Sequence, residues 1–337
     1  AKSTDATPVY TGTGTARNVY GGSALGAVNA TKGAGDVLSA TTGKMTTVNV
    51  YAGTVSNVYG GGYQGTVGLH TKMESGVEVN AGIKDPFATD ILGETNVTIG
   101  KLNGTSFING IPAIQRNAYA GGEGGAVWGT GNITLNNGYI GYIFNASGSD
   151  NTETTAFDER YEENIIDYTW KDDQGNFIPN TNLYESGCVI GGGYVDNSSV
   201  DFTNVYMYGG QVRNSLFGGG EIAAIGRGTI HASGDKNSVR TLEGIYKGGK
   251  TFIEMYGGHV HRNVFGGGRG YNNLGKQGTL YSDGYVFGQT DVHIHGGEIG
   301  SVKELALGNG NVFGGGDIGY VYSAYQNADG ELCIGKK

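Results

Sequence analysis

The sequence predicts an all-β fold of stacked repeats, a parallel β-helix (β-solenoid). Three observations carry that expectation: 66 glycines in 337 residues, an alternating segment that closes on Gly-Gly, and a box that closes on triple glycine. Glycine-rich chains can also be collagenous or disordered. Collagen needs glycine at every third position with abundant proline, and this chain has only 4 prolines. Disorder goes with few aromatic and β-branched residues, whereas 22 Tyr and 11 Phe lie between these glycines.

The alternating segments align as Thr203-Asn-Val-Tyr-Met-Tyr-Gly-Gly210, Thr251-Phe-Ile-Glu-Met-Tyr-Gly-Gly258 and Thr290-Asp-Val-His-Ile-His-Gly-Gly297. Thr46-Thr-Val-Asn-Val-Tyr-Ala-Gly53 fits with Ala52 in place of the first glycine. Each reads as a β-strand with one buried face, because side chains alternate across a strand. The buried pairs are Val48/Val50, Val205/Met207, Ile253/Met255 and Val292/Ile294.

Each segment leads, through Val55, Val212, Val260 or Ile299, to a glycine box. The boxes end in Gly60-Gly61-Gly62, Gly218-Gly219-Gly220, Gly266-Gly267-Gly268 and Gly314-Gly315-Gly316. Weaker copies run Asn18-Val-Tyr-Gly-Gly22, Asn117-Ala-Tyr-Ala-Gly-Gly122 and Cys188-Val-Ile-Gly-Gly-Gly193. Triple glycine is read as a structural corner in positive φ, which glycine adopts without steric cost. Val19, Val58, Val264 and Val312 are expected to stack inside, with the box asparagines in a hydrogen-bonded ladder. Box spacings of 48 and 27 residues imply a coil of roughly 20 to 27 residues, sometimes two coils between boxes. The unequal spacing disfavours propeller blades, which recur at a near-constant period.

One domain, 1–337, is expected, interrupted at 146–187. That stretch is acidic and aromatic: Phe157, Tyr161, Ile165 and Tyr168 follow a helical spacing, Trp170 comes next, and Asp172 to Asn176 reads as a turn. A projecting loop with a short helix is expected there, its aromatic stripe docking the insertion or binding a partner.

The net charge of −9 argues against nucleic acid, which needs a clustered basic face. No apolar run approaches the roughly 20 residues of a membrane helix, so no transmembrane segment is expected. Nor is a signal peptide visible at Ala1. Cys188 and Cys333 show neither metal spacing nor a disulfide framework and read as buried or incidental thiols.

Three features of the sequence bear on chemistry. Glycoside hydrolysis needs two carboxylates converging at about 5 to 9.5 Å, but Asp291, Glu254 and Glu298 fall at three different repeat positions. The pairs His259/His261 and His293/His295 each share a face, yet two histidines alone make an incomplete metal site. The residue after triple glycine is Tyr63, Tyr194, Glu221, Arg269 or Asp317, and an arginine there is incompatible with a repeated calcium site. A phosphate cradle would need a helix after the glycines. No catalytic residue, metal or cofactor is expected.

The position before the Gly-Gly turn is Tyr51, Tyr208, Tyr256 and His295, an outward column. Such rings either bind sugar rings or proteins, or only pin register. With Trp170, Tyr161 and Tyr168 they form the candidate binding set.

The boxes, preceded by segments such as Val292-His-Ile-His-Gly-Gly-Glu-Ile299, resemble the repeats of large secreted surface proteins of gut bacteria, adhesin-like right-handed β-helices. The likeness covers most of 17–68 and 188–320. It implies a right-handed coil, an extracellular or bacterial cell-surface setting, and a glycan or surface-protein partner. The expected function is non-enzymatic, adhesin-like presentation of one face. A polysaccharide-active enzyme and a purely structural stalk are the alternatives.

Overall fold

A computed structural model describes residues 14–28, 31–32, 38–39, 46–75, 77–80, 89–91, 93–103, 106–107, 112–141, 170–171, 177–178, 187–195, 197–226, 230–231, 241–242, 248–270, 284–300, 310–322, 324–326 and 332–334. Two parallel sheets dominate it, one of seven strands and one of twelve.

The alternating segments build the seven-stranded sheet, in the order Val321–Tyr322, Val286–Ile294, Gly249–Met255, Val200–Met207, Val127–Leu135, Gly93–Ile99 and Thr46–Val50. Their inward residues align in register, so Val48, Val97, Ile133, Val205, Ile253 and Val292 form one column. The glycine boxes build the twelve-stranded sheet. Its continuous members are Thr15–Tyr20 and Thr54–Tyr59, which pair along their length, and both Ala113–Ile114 and Ala118–Tyr119 pair on the second. In later levels a bend divides the same stretch into two strands of two residues, such as His259–Val260 and Val264–Phe265. One arm of the sheet therefore runs to Glu298–Ile299 and the other to Val312–Phe313. Aliphatic side chains of both sheets share one core, including Val58, Ile133, Val205, Ile253 and Val264.

These findings correct the expected fold class. The right-handed parallel β-helix with an inserted short helix gives way to two parallel sheets, of twelve and seven strands, and no helix occurs among the described residues. The uniform coil fails on its period. Asn263 and Asn311, 48 residues apart, are direct neighbours, so 48 residues make one level, not two coils. The surplus leaves the sheets in excursions such as the antiparallel pair Ile230–His231 and Thr241–Leu242. Of the insertion at 146–187, the antiparallel strands Trp170–Lys171 and Phe177–Ile178 are described. The helix expected over Phe157 to Tyr168 lies outside the described residues, as do Tyr161 and Tyr168.

Two strands escaped the sequence alignment. Gly93–Ile99 and Val127–Leu135 carry the same alternation but lack the Gly-Gly ending, whose place is taken by Lys101-Leu102 in one and Asn137-Gly138 in the other.

The role of triple glycine also differs from expectation. None of the four boxes contains a positive-φ residue, whereas the turn glycines Gly53, Gly210, Gly258 and Gly297 lie at φ +86° to +99°. The boxes are glycine because the levels approach closely. A Cβ on Gly266 would stand 2.6 Å from the carbonyl oxygen of Gly314, and one on Gly267 2.6 Å from the amide of Gly316.

Candidate functional site: the outer face of the seven-stranded sheet

Alternation that sends Val205, Met207, Ile253 and Met255 inward sends Tyr206, Tyr208, Phe252, Glu254 and Tyr256 outward. Parallel register then places like positions side by side. Tyr208 and Tyr256 stack with ring centroids 5.1 Å apart and planes 2° from parallel, and Tyr256 stacks on His295 at 4.7 Å and 10°. Tyr208 and Tyr256 are 45% and 44% exposed, so the column faces water.

Tyr51 does not belong to it. Val50, Ile99, Leu135 and Met207 are successive partners, so two levels separate Tyr51 from Tyr208. Those levels carry Gly100 and Asn136 at the column position. Tyr51 instead receives the Lys101 ammonium over its ring at 5.4 Å. Trp170 lies in a described strand of the insertion, Trp170–Lys171.

The column is the rim of a wider patch that sequence reading missed. Tyr206 packs near Phe252 at 6.0 Å, and Phe252 near His293 at 5.3 Å. Phe202 is exposed at the beginning of the patch. The outward alternation two, four and six residues before the column rings held the signal, in Tyr206 and His293, Phe252, and Phe202. Polar groups lie among the rings. Lys250 Nζ is 2.6 Å from Asp291, and His295 Nε2 is 3.1 Å from Glu254. A hydrogen bond to Glu254 raises the Tyr256 hydroxyl above its ordinary pKa.

The other half of the face is polar. Asn204 donates to Asn132 at 2.8 Å, and Asn132 donates to Asn96 at 3.2 Å. At the next level this position becomes Phe252. The face thus changes from an Asn/Thr surface to an aromatic one across Val200–Met207, which carries Asn204 between Phe202 and Tyr206.

The remaining candidates have structural neighbours. The three carboxylates considered for hydrolysis each meet a basic side chain of a neighbouring strand: Glu254 meets His295, Asp291 meets Lys250, and Glu298 meets His259 at 3.6 Å. His259 and His261 stack at 3.9 Å, and burial, reinforced by His259 and Arg213, pushes His261 down to about 3. Among the described residues no group of three His, Cys, Asp or Glu gathers to hold a metal.

Behind the boxes lies a buried polar cluster. Tyr119 donates to Glu221, which also meets Arg269 at 2.8 Å, and Asn117 donates to the Tyr119 hydroxyl at 3.0 Å. Burial and the Glu221 charge raise the Tyr119 hydroxyl far above its usual range. Burial also raises the free thiol of Cys188.

No protein-family model, curated protein or solved structure matches the chain. Among the described residues no helix is long and apolar enough to cross a membrane.

Proposed function

We propose that this chain is a non-enzymatic, adhesin-like bacterial surface or secreted protein that presents the outer aromatic face of its seven-stranded sheet to a glycan. The observation carrying this reading is the half-exposed stack Tyr208/Tyr256/His295 beside Tyr206, Phe252 and His293. Stacked rings shield one another, so a ligand meets their edges, their hydroxyl tips and the outer faces of the end rings, Tyr208 and His295. That surface alternates apolar rings with hydrogen-bonding groups, as a sugar does. The engagement of Glu254 by His295, Asp291 by Lys250 and Glu298 by His259 supports a binding role over hydrolysis, which needs one carboxyl poised as acid and another as base or nucleophile. The glycine boxes, through their resemblance to gut-bacterial surface proteins, support the extracellular setting.

The test is affinity electrophoresis against a panel of soluble polysaccharides, with reducing ends assayed in parallel. At least one polysaccharide is expected to retard the protein without being cut, and Tyr256→Ala weakens that retardation at least tenfold. Cleavage abolished by one acidic substitution, or retardation indifferent to Tyr208→Ala and Tyr256→Ala, overturns the proposal.

A further inference from the structure

Register fixes the outward groups of the aromatic half. Across Val200–Met207, Gly249–Met255 and Val286–Ile294, Phe202 aligns with Lys250 and Gln289, and Asn204 with Phe252 and Asp291. Tyr206 aligns with Glu254 and His293, and the stack Tyr208/Tyr256/His295 follows. Glu254 and Asp291 are carboxylates, and Lys250 is an ammonium. That ammonium is committed. Lys250 Nζ lies 2.6 Å from Asp291 Oδ2, with the two side chains 43% and 41% exposed. Glu254 lies among rings instead: His295 Nε2 is 3.1 Å from its Oε1, and it shares a hydrogen bond with Tyr256. Among the described residues no lysine or arginine pairs with Glu254.

The polar half extends the same rows. Thr47, Asn96 and Asn132 precede Asn204, and Asn49, Thr98 and Thr134 precede Tyr206. The charged outward residue of those strands is Glu94, 3.3 Å from Asn132 Nδ2. Lys101 follows its strand and carries its ammonium over the Tyr51 ring. Parallel strands lie about 4.8 Å apart, so the six from Thr46–Val50 to Val286–Ile294 offer a track of about 24 Å.

Granted that this face binds a glycan, we infer that the ligand is an uncharged polysaccharide lying across the strands, and that Glu254 and Asp291 turn acidic polysaccharides away. A neutral sugar brings hydroxyl groups, which donate to carboxylate oxygens in the stronger, charge-assisted kind of hydrogen bond. Asp291 keeps Oδ1 for that purpose, because Lys250 takes Oδ2. Ring edges and tyrosine hydroxyls between the carboxylates meet the apolar and polar parts of the sugar. A uronate or sulfate instead brings a fixed negative charge against two carboxylates, and the nearby ammonium is already held by Asp291. Specificity is thus built by repulsion as well as by attraction. The net charge of −9 acts in the same direction at longer range. The length of the track fits a polymer better than a single sugar.

The full chain is immobilised for biolayer interferometry with galactomannan, xyloglucan, arabinoxylan and mixed-linkage β-glucan, each beside its carboxymethyl derivative. Alginate, polygalacturonate and chondroitin sulfate serve as natural acidic polymers. At least one uncharged polymer is expected to bind, and Tyr256→Ala to weaken that binding. At low salt its carboxymethyl derivative binds about fivefold more weakly, the effect of one like-charge contact at the surface. The gap closes as salt rises from about 0.01 M to about 1 M, because the screening length falls from about 30 Å to about 3 Å. Asp291→Asn, which removes a carboxylate and releases Lys250, narrows the gap at low salt, and so does Glu254→Gln. A gap caused by blocked hydroxyls alone would respond to neither salt nor substitution. Equal binding of the two forms, a gap indifferent to salt and to both substitutions, or an acidic polymer held through Tyr256 as tightly as any uncharged one overturns the inference and leaves the glycan reading standing. If no polymer binds in a Tyr256-dependent manner, both fall.

Discussion

Thr251 Oγ1 donates to the Gly266 carbonyl at 2.6 Å, and the same bond recurs from Thr203 to Gly218 and from Thr46 to Gly60. Each threonine is buried, so each bond ties a strand of the seven-stranded sheet to the close-packed glycine corner of the twelve-stranded one. Removing the donor strands a buried carbonyl, which costs about 1–3 kcal/mol. Thr251→Val is therefore expected to lower unfolding free energy by about that amount in urea titration, with Thr251→Ser retaining most of it. The recurring threonine was legible as the beginning of each segment. Its partner was not, because it lies 15 residues ahead at a turn whose geometry the sequence leaves open. The same limit applied to glycine. Its abundance announced tight geometry, but only the structure separates positive-φ turn glycines such as Gly297 from box glycines that make room for a neighbouring backbone.

At the level of strands, alternation was enough to orient side chains. The inward pairs Val205/Met207 and Ile253/Met255 lie buried as the pattern predicts, and Tyr208, Tyr256 and His295 stack outward. Pairing order was harder to read. Gly93–Ile99 and Val127–Leu135 carry no Gly-Gly mark, so Tyr51 looked adjacent to Tyr208 when two strands intervene. The short strand His259–Val260 and the turn after it carry a pH response. His261 is held at about 3 against an ordinary 6.5, first by burial, then by His259 and by Arg213 from the neighbouring level. A depressed native pKa means that the unfolded chain binds the proton first, so this contribution is complete above about 6.5 and is lost as pH falls toward 3. Chemical denaturation between those values should show stability falling with pH, and His261→Gln should flatten the slope. An unchanged slope would place the response elsewhere.

Across the whole molecule, the sheets separate support from presentation. One core joins them, the glycine corners let successive levels approach, and the outer face of the seven-stranded sheet divides into a polar half and an aromatic half. Composition forecast an acidic chain that folds, and the aligned segments forecast stacked strands. The 48-residue spacing misled the count of levels, because sequence distance does not reveal which residues leave the sheets in excursions. The binding role of the aromatic half is the central claim. Hydroxyl-radical footprinting of the dilute protein with and without a saturating retained polysaccharide tests it most directly, using Tyr63 as an internal control. Tyr63 is 43% exposed, about as much as Tyr208 and Tyr256, but follows a glycine box at another corner. Protection of Tyr208 and Tyr256 with Tyr63 unchanged is the predicted result; protection of Tyr63 alone, or equal protection of all three, would contradict it.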